Sequence, residues 1–283
     1  QRDHETQVGV HHPLLGLEIL PVDHRRVAVL EGPHADAVPE PAALHVGRLD
    51  VRLVPAAPLI KLPANIPCET AAAMTMRGLT SAYLMRRIWP LKAGDAILLH
   101  AAAGGVGLIV SQWAKILGLT VIGTVSTEAK AEIAREHGCD HVIQYTREDV
   151  AKRVRELTGG VGVAVVYDSV GKDTFAGSID SLKRRGLLVC VGTASGPNPP
   201  IDATQLAIKG SVYVTRPALA DYIADPAEKQ ELAAELFGHV AAGRIKIEIN
   251  QRYKLEEAAQ AHRDLESRKT TGSSVFVIGD KPY

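Results

Sequence analysis

The sequence predicts an α/β fold with a doubly wound parallel sheet and a second, smaller domain. Three observations predict it. Apolar runs with β character alternate with helical patterns from about Leu53 onward, a glycine-rich turn joins the first run of the main sheet to a helix, and the central runs are apolar at nearly every position. Such alternation is typical of βαβ units, and continuous apolar strands fit a sheet that helices cover on both faces.

The predicted elements follow in order along the chain. Six strands form the main sheet, at residues 96–100, 120–125, 141–145, 163–168, 187–192 and 211–215, with helices between most of them. A helix near 227–242, a strand at 245–250, a helix at 255–267 and a strand at 274–278 come after them.

The composition excludes several classes of protein. With 32 basic and 32 acidic residues, no net charge favours binding to nucleic acid or to an anionic membrane surface. No apolar run approaches the roughly 18 residues of a membrane-spanning helix, and residues 1–30 lack the pattern of a signal peptide. The three cysteines, Cys68, Cys139 and Cys190, have neither disulfide nor zinc spacing, so we expect a cytoplasmic protein without a metal site.

Residues 1–52 form an atypical N-terminal segment. Residues 1–50 contain six of the eleven histidines, five prolines and no lysine, aromatic residue or cysteine, and only 26–30 resemble a strand. Without a repeated hydrophobic period, we expect a disordered arm or a poorly ordered remnant. A histidine-rich metal site is the alternative, but only His11 and His12 are adjacent, and no carboxylate or thiol cluster supports them.

A glycine-rich turn with the sequence AAAGGVG, residues 101–107, directly follows the first strand of the main sheet. It matches G-x-G-x-x-G with alanine at the first glycine position. The middle glycine lets the backbone approach a pyrophosphate, the last lets helix and strand pack closely, and the helix N-terminus attracts phosphates. We therefore predict dinucleotide binding, the alternative being a tight turn without a ligand. The predicted phosphate-binding residues are Ala102, Gly104, Gly105, Val106 and Gly107.

The end of the second strand favours NADP over NAD. An NAD site places Asp or Glu about 20 residues beyond the glycines, but this sequence has Ser126 and Thr127 there, followed by Lys130. Hydroxyl groups and a cation suit a 2′-phosphate through charge-assisted hydrogen bonds, whereas nearby Glu128 would repel it. The alternative is that Ser126 caps a helix and Lys130 is a solvated side chain.

Five segments carry a resemblance to a known family: HAAAGGVG at 100–107, MRGLTSAYL at 76–84, VYDSVG at 166–171, YVTRP at 213–217 and LESR at 265–268. In order and spacing they resemble the zeta-crystallin-like quinone oxidoreductases of the medium-chain dehydrogenase/reductase superfamily. The resemblance covers about residues 53–279. It implies a homodimeric, zinc-independent enzyme that uses NADPH to reduce quinones or related conjugated carbonyl compounds.

The resemblance also implies the residues that surround the cofactor. Around the adenosine 2′-phosphate it places Ser126, Lys130, Tyr145 and Arg268. Near the nicotinamide it places Thr80, and at the ends of the fourth and fifth strands it places Ser169, Gly192 and Thr193. No catalytic residue is assigned, and His100 is interpreted as a hydrogen-bonded histidine at the end of a strand.

The resemblance also implies a division into domains. Residues 80–215 correspond to the Rossmann domain, and 53–79 with 216–283 correspond to a remnant of the GroES-like catalytic domain. Family members have a longer front domain, and a frameshifted or deleted coding region near 51–53 would produce the difference. An active reductase and a non-catalytic NADPH-binding protein are therefore the two hypotheses. The strand at 211–215, which carries no charge and no proline, is expected to pair with a second copy.

Overall fold

The computed structural model describes the backbone of residues 17–22, 25–30 and 51–55, and the full structure of residues 59–267 and 269–277. The chain forms two compact units, Gln1–Lys61 and Leu62–Tyr283. Strands β1 (Leu17–Val22), β2 (Arg25–Leu30) and β3 (Val51–Pro55) form a sheet in the first unit. Strand β2 lies in the middle, antiparallel to β1 and parallel to β3.

The first unit therefore contains more strand than the sequence pattern indicates. The strand predicted at 26–30 is confirmed, whereas β1 and β3 were missed. Pro21 argues against a strand in a sequence pattern, but β1 lies at an edge of the sheet, where proline is tolerated. His11 and His12 lie outside the described residues, as do those parts of 1–50 for which disorder is expected.

The second unit contains eight strands and nine α-helices among the described residues. In chain order they are α1 (Cys68–Arg86), β4 (Ala96–Leu99), α2 (Gly105–Ile116), β5 (Thr120–Val125), α3 (Glu128–Glu136), β6 (His141–Gln144), α4 (Val150–Leu157), β7 (Val163–Asp168), α5 (Phe175–Ser181), β8 (Leu182–Cys190), α6 (Ala203–Ile208), β9 (Tyr213–Thr215), α7 (Leu219–Tyr222), α8 (Pro226–Ala241), β10 (Ile249–Lys254), α9 (Ala258–Glu266) and β11 (Ser273–Val277). A 3-10 helix at Leu255–Glu257 precedes α9. No helix in the described part of the chain has both the length and the apolar character needed to cross a bilayer.

Six parallel strands form the main sheet in the order β6-β5-β4-β7-β8-β9. This is the doubly wound order. The chain starts in the middle of the sheet at β4, adds strands toward one edge, and then returns to the middle at β7 and adds strands toward the other edge. Because parallel crossovers are right-handed, α2 and α5 lie on opposite faces. Every residue of β7 is buried, as a strand covered on both faces requires. The predicted fold class and its six strands are confirmed.

The core on one face of the sheet is built from aliphatic side chains. Leu98 and Val166 lie in neighbouring strands and pack with Val154 of α4 and Phe175 of α5. On the other side of the unit, α1 packs against α2 and α8. Helix α1 runs without a break through the domain boundary predicted at residue 80. The division into Rossmann and GroES-like parts stays a prediction.

The strand predicted at 245–250 was wrong in position: the observed strand is Ile249–Lys254, which begins and ends four residues later. Ile245 is buried, and the Lys246 backbone is bound by the side chain of Gln112 in α2. Gln112 Oε1 accepts from the Lys246 amide at 2.8 Å, and Nε2 donates to its carbonyl at 3.0 Å. These bonds replace a sheet ladder there. Strand β10 pairs in parallel with β11, which agrees closely with the strand predicted at 274–278.

Candidate functional site

The glycine-rich turn connects β4 to α2 in a conformation that needs small residues. Ala101 has a φ of 53°, a left-handed conformation that L-residues with a Cβ adopt at a cost of about 1–2 kcal/mol. The Gly104 amide donates to its carbonyl at 2.9 Å, and α2 begins at the next residue. A Cβ on Gly107 would lie 2.5 Å from the Ala101 oxygen, so the third glycine of the motif is a packing requirement.

Alanine stands at the first glycine position of the motif because a neighbouring strand makes room for it. Ala102 is buried, and its amide donates to the Thr124 carbonyl of β5 at 3.1 Å. A Cβ on Gly123 would lie 2.7 Å from the Ala102 methyl carbon and 2.7 Å from Cys139 Sγ. The missing side chain at Gly123 therefore compensates for the extra methyl group in the turn.

The turn forms one wall of a cleft of about 230 Å³ at the carboxyl ends of the strands. In doubly wound sheets, ligands bind at this edge, at the point where the strand order reverses. The lining comes from the turn, from α1, from the ends of β7 and β8, and from the C-terminal segment. The lining residues used below are Arg77, Gly104, Gly105, Val106, Gly107, Ser169 and Gly272. The amides at the N-terminus of α2 have no partners within the helix, and those beyond the bridge between Gly104 and Gly272 could bind an anion.

A buried hydrogen-bond network lies directly behind the turn. The Nδ1 atom of His100 is 2.9 Å from Thr124 Oγ1, and its Nε2 is 3.0 Å from Ser178 Oγ. The Ser178 hydroxyl donates to Asp168 Oδ2 at 2.7 Å, so its oxygen accepts from an Nε2–H of His100. Burial lowers the pKa of His100, although the Asp168 charge opposes this effect. His100 is thus a neutral, hydrogen-bonded histidine at the strand end, as the sequence predicts.

The same network fixes the opposite wall of the cleft. The Oδ1 atom of Asp168 accepts from the amides of Val170 at 2.9 Å and Gly171 at 3.0 Å, and from the Thr174 hydroxyl at 2.8 Å. These bonds hold the loop after β7, which contains the cleft residue Ser169. The predicted residues Gly192 and Thr193 lie beside it: a Cβ on Gly192 would lie 2.7 Å from the Ser169 carbonyl oxygen.

Three of the four residues predicted around the 2′-phosphate, Ser126, Lys130 and Tyr145, lie just beyond the ends of β5 and β6. The Tyr145 amide donates to the carbonyl of the last residue of β5, Val125, at 3.2 Å, and the Thr146 hydroxyl donates to the Ser126 carbonyl at 3.2 Å. Lys130 lies in the first turn of α3, with its amide bound to Thr127 Oγ1 at 3.4 Å. Thr127, rather than Ser126, caps that helix, which leaves the Ser126 hydroxyl outside the cap.

Glu128, the acidic residue that would oppose a phosphate, is engaged elsewhere. Its Oε1 accepts from Arg135 Nη1 at 2.7 Å, and its Oε2 accepts from the Gln144 side chain. Arg135 neutralises the carboxylate and Gln144 occupies its second oxygen, so Glu128 should repel a phosphate less than the sequence alone suggests.

Several predicted residues do not line the cleft in the described part of the chain, and Thr80 is one of them. Thr80 lies in the middle of α1, and its hydroxyl donates within the helix to the Met76 carbonyl at 2.8 Å. It does not line the cleft, although Arg77 and Leu84 of the same helix do. Arg268 lies outside the described residues. In the described part of the chain, no group of three or more His, Cys, Asp or Glu side chains could hold a metal ion.

Several residues that line the cleft were not predicted from the sequence, Arg77 and Gly272 among them. Arg77 of α1 reaches the glycine-rich turn, and the Gly272 amide of the C-terminal segment donates to the Ala103 carbonyl at 3.0 Å. A single cation in the middle of α1, among mostly small and apolar residues, was the available signal for Arg77. No local pattern indicates the contact with Gly272, because it joins residues far apart in the sequence.

Comparisons with known proteins agree with this geometry. The family described as zinc-binding dehydrogenase matches residues 105–236. The quinone oxidoreductase of Pseudomonas aeruginosa is 53% identical over 219 residues, which are 77% of this chain and 67% of that protein. The 2-haloacrylate reductase of a Burkholderia species is 46% identical over 229 residues, 80% of this chain and 69% of that protein.

A solved structure gives the same result. The Escherichia coli quinone oxidoreductase, in complex with NADPH, superimposes with a TM-score of 0.75 at 49% identity. The superposition covers 77% of this chain and 68% of that one. The chain therefore spans about two thirds of the length of each of these relatives.

Proposed function

Since this chain belongs to the quinone oxidoreductases of the medium-chain dehydrogenase/reductase superfamily, it is an oxidoreductase, and we propose that it uses NADPH to reduce quinones or related conjugated carbonyl compounds. The single observation that carries the proposal is the cleft at the reversal point of the sheet, where the glycine-rich turn meets the open N-terminus of α2. Its cofactor is NADPH, the molecule bound in the E. coli relative.

The residues present fit this cofactor. The amides of Val106 and Gly107 in the first turn of α2 would bind the pyrophosphate, next to the bridge that joins Gly104 to Gly272. At the ends of β5 and β6, Ser126, Lys130 and Tyr145 would surround the 2′-phosphate, near a carboxylate that Arg135 neutralises. No acidic residue stands where an NAD-selective site would hold the ribose hydroxyls.

When bound, NADPH supplies the hydride, and the protein residues position and shield it. Ser169 lines the cleft across from the turn, and Gly192 packs against the Ser169 backbone. The buried bonds of His100 and Asp168 hold both walls in place. None of the described residues in the cleft is assigned to proton transfer.

The substrate class follows from the chemistry that the relatives share. A quinone and a haloacrylate both contain a C=C bond conjugated to an electron-withdrawing carbonyl or carboxylate. Conversion of a quinone to its hydroquinone takes up one hydride and one proton. Hydride addition to an acrylate likewise needs one proton. We infer that the acceptor is a conjugated, electron-poor alkene or quinone.

Assembly as a homodimer and a cytoplasmic location belong to the same proposal. Strand β9 is the last strand of the main sheet, and Tyr213 is 54% exposed on it, so an unguarded edge is available for a second copy. The three cysteines are all unpaired thiols, which fits a reducing compartment.

One assay tests the reaction and the alternative hypothesis together. The protein is mixed with NADPH and either 1,4-benzoquinone or 2-chloroacrylate, and the absorbance of the reduced nicotinamide is followed. We expect protein-dependent loss of absorbance with at least one acceptor. Binding of NADPH in calorimetry without turnover of either compound would favour a non-catalytic NADPH-binding protein, and absence of binding would overturn both hypotheses.

A further inference from the structure

Arg77 is placed beside the start of α2 by a contact across the fold. Its helix, α1, packs against α2, and the Arg77 side chain lines the cleft together with Gly104, Gly105 and Val106. Its Cδ and Nε atoms occupy the space over Gly105, 2.5 Å and 2.7 Å from where a Cβ of that residue would lie. The guanidinium therefore sits within a few ångströms of the amides that begin the helix.

This arrangement brings two positive features together without a compensating negative one. The N-terminus of a helix carries a partial positive charge, which a cation next to it should destabilise. The first turn of α2 has no acidic residue. In the described part of the chain, the Arg77 guanidinium forms no ion pair or hydrogen bond, and burial lowers its pKa without an opposing carboxylate. The guanidinium and the helix N-terminus therefore both favour an anion at this point of the cleft.

Gly105 gives a second, independent indication. It occupies an unspecified position of the G-x-G-x-x-G pattern, so the pattern does not require glycine there. Its φ is not in the left-handed region either, because it is absent from the glycines of positive φ among the described residues. An added methyl would lie closest to the Arg77 side chain, and 3.1 Å from the Gly272 carbonyl oxygen. Glycine at 105 thus leaves space for the arginine stem.

We propose that Arg77 is a binding residue for the pyrophosphate of the dinucleotide, which it holds from α1 against the N-terminus of α2. The proposal rests on the function proposed above and assigns a contact within that site. A pyrophosphate carries two negative charges, and a guanidinium donates hydrogen bonds in a fork that matches phosphate oxygens. The bound anion would then lie between two positive groups that otherwise repel each other.

Arg77→Met tests the assignment, since methionine keeps an apolar stem over Gly105 and removes the charge. Calorimetry with NADPH, NADH and ADP-ribose, which all contain the pyrophosphate, should show similar losses of affinity of about 10- to 100-fold. Adenosine 2′-monophosphate, which lacks a pyrophosphate, should bind the variant and the unmodified protein equally. Arg77→Lys should restore part of the affinity, because it restores the charge without the fork.

The stability of the apo protein separates this role from a purely structural one. Removing a cation from beside the helix N-terminus should leave the apo Tm unchanged or raise it, whereas loss of a packing residue would lower it. Arg86→Met, in the same helix but paired with Glu235, is the matched control and should leave all four affinities unchanged.

The outcomes distinguish this inference from the proposed function. If the unmodified protein binds NADPH and Arg77→Met binds it equally well, the pyrophosphate contact is wrong while the proposed function stands. A loss for NADPH and adenosine 2′-monophosphate but not for NADH would place Arg77 on the 2′-phosphate and also overturn the assignment. If the unmodified protein binds none of the nucleotides, the proposed function itself fails. Should Arg77→Met not fold, Arg77→Gln carries the same comparison.

Discussion

The Nε2 atom of His100 lies 3.0 Å from the hydroxyl oxygen of Ser178, which in turn donates to Asp168. The glycine-rich turn and the loop after β7 are thereby linked through one serine side chain. All three residues are buried, so none of these polar groups can exchange a lost partner for bulk water without opening the fold.

Ser178→Ala should therefore lower the free energy of unfolding by about 1–3 kcal/mol, because it leaves the buried Nε2–H of His100 without a partner and leaves Asp168 Oδ2 with the Thr174 hydroxyl alone. Urea denaturation measures the change. The control is Ser181→Ala, which is the same substitution in the same helix, where the buried hydroxyl binds only the Gly177 carbonyl. That variant should lose less than about 1 kcal/mol, and equal losses in the two variants would contradict the network.

Stability should fall as the pH is lowered below about 6.5, in part through His100. Its pKa is lowered from 6.5 in the folded protein by burial, so the unfolded state binds the proton first. The stabilisation is therefore present above pH 6.5 and is lost as the pH falls toward the lowered folded pKa, by at most about 1.4 kcal/mol per pH unit for one proton.

His100→Asn identifies the contribution of this residue, since asparagine can keep one of the two hydrogen bonds and does not titrate. Its unfolding free energy should vary less between pH 7 and pH 5 than that of the unmodified protein. If the unfolding free energies of the variant and of the unmodified protein change equally with pH, other groups account for the dependence. His239, whose pKa burial also lowers, is one such group.

Gly107→Ala should disturb both the fold and the cofactor site. The new methyl would lie 2.5 Å and 2.6 Å from the carbonyl oxygens of Ala101 and Ala102, which belong to the turn itself. We expect a loss of about 1–3 kcal/mol in unfolding free energy and weaker binding of both NADPH and NADH. Gly177→Ala in α5, where no atom lies within 4 Å of the added carbon, should instead gain about 0.5–1 kcal/mol.

Lys130→Ala should weaken NADPH binding by roughly one to two orders of magnitude, because a charge-assisted contact contributes about 1.5–3 kcal/mol. The affinity for NADH should remain nearly unchanged. Only NADPH carries the 2′-phosphate. Lys115→Ala is the control: this lysine forms a surface ion pair with Asp140 at the far end of α2 and should affect neither affinity. A loss of affinity for both cofactors in Lys130→Ala would assign the lysine to the fold rather than to selectivity.

Tyr213→Asp should convert the proposed dimer to monomer, because a charge on an exposed edge strand opposes pairing. Light scattering should give twice the 30.2 kDa of one chain for the unmodified protein and one chain's mass for the variant. Val161→Asp, at a loop position that is 61% exposed, should leave the mass unchanged. A monomer in the unmodified protein would reject this interface. Proline at Val212 is less informative, since the Val212 amide donates to the Leu206 carbonyl within the chain.

Much of the main sheet could be predicted from local patterns. Val163–Asp168 is apolar along almost its whole length, and this alone indicates a strand buried on both faces. The start of β8 was placed five residues too late, because Leu182–Arg185 contains charged residues that are exposed where the strand begins. Strand β1, with its proline, was missed for a similar reason: edge positions tolerate residues that a strand pattern excludes.

By itself, the sequence determined the doubly wound fold and the glycine-rich turn and predicted NADPH as the cofactor, since these depend on residues that are close along the chain. The positions of Arg77 over Gly105, of Ser178 between His100 and Asp168, and of Gln112 on Lys246 were decided only by the tertiary structure. Each of these contacts joins elements that are distant in sequence. A side chain's partners across such distances depend on how helices pack on the sheet, which no local periodicity encodes.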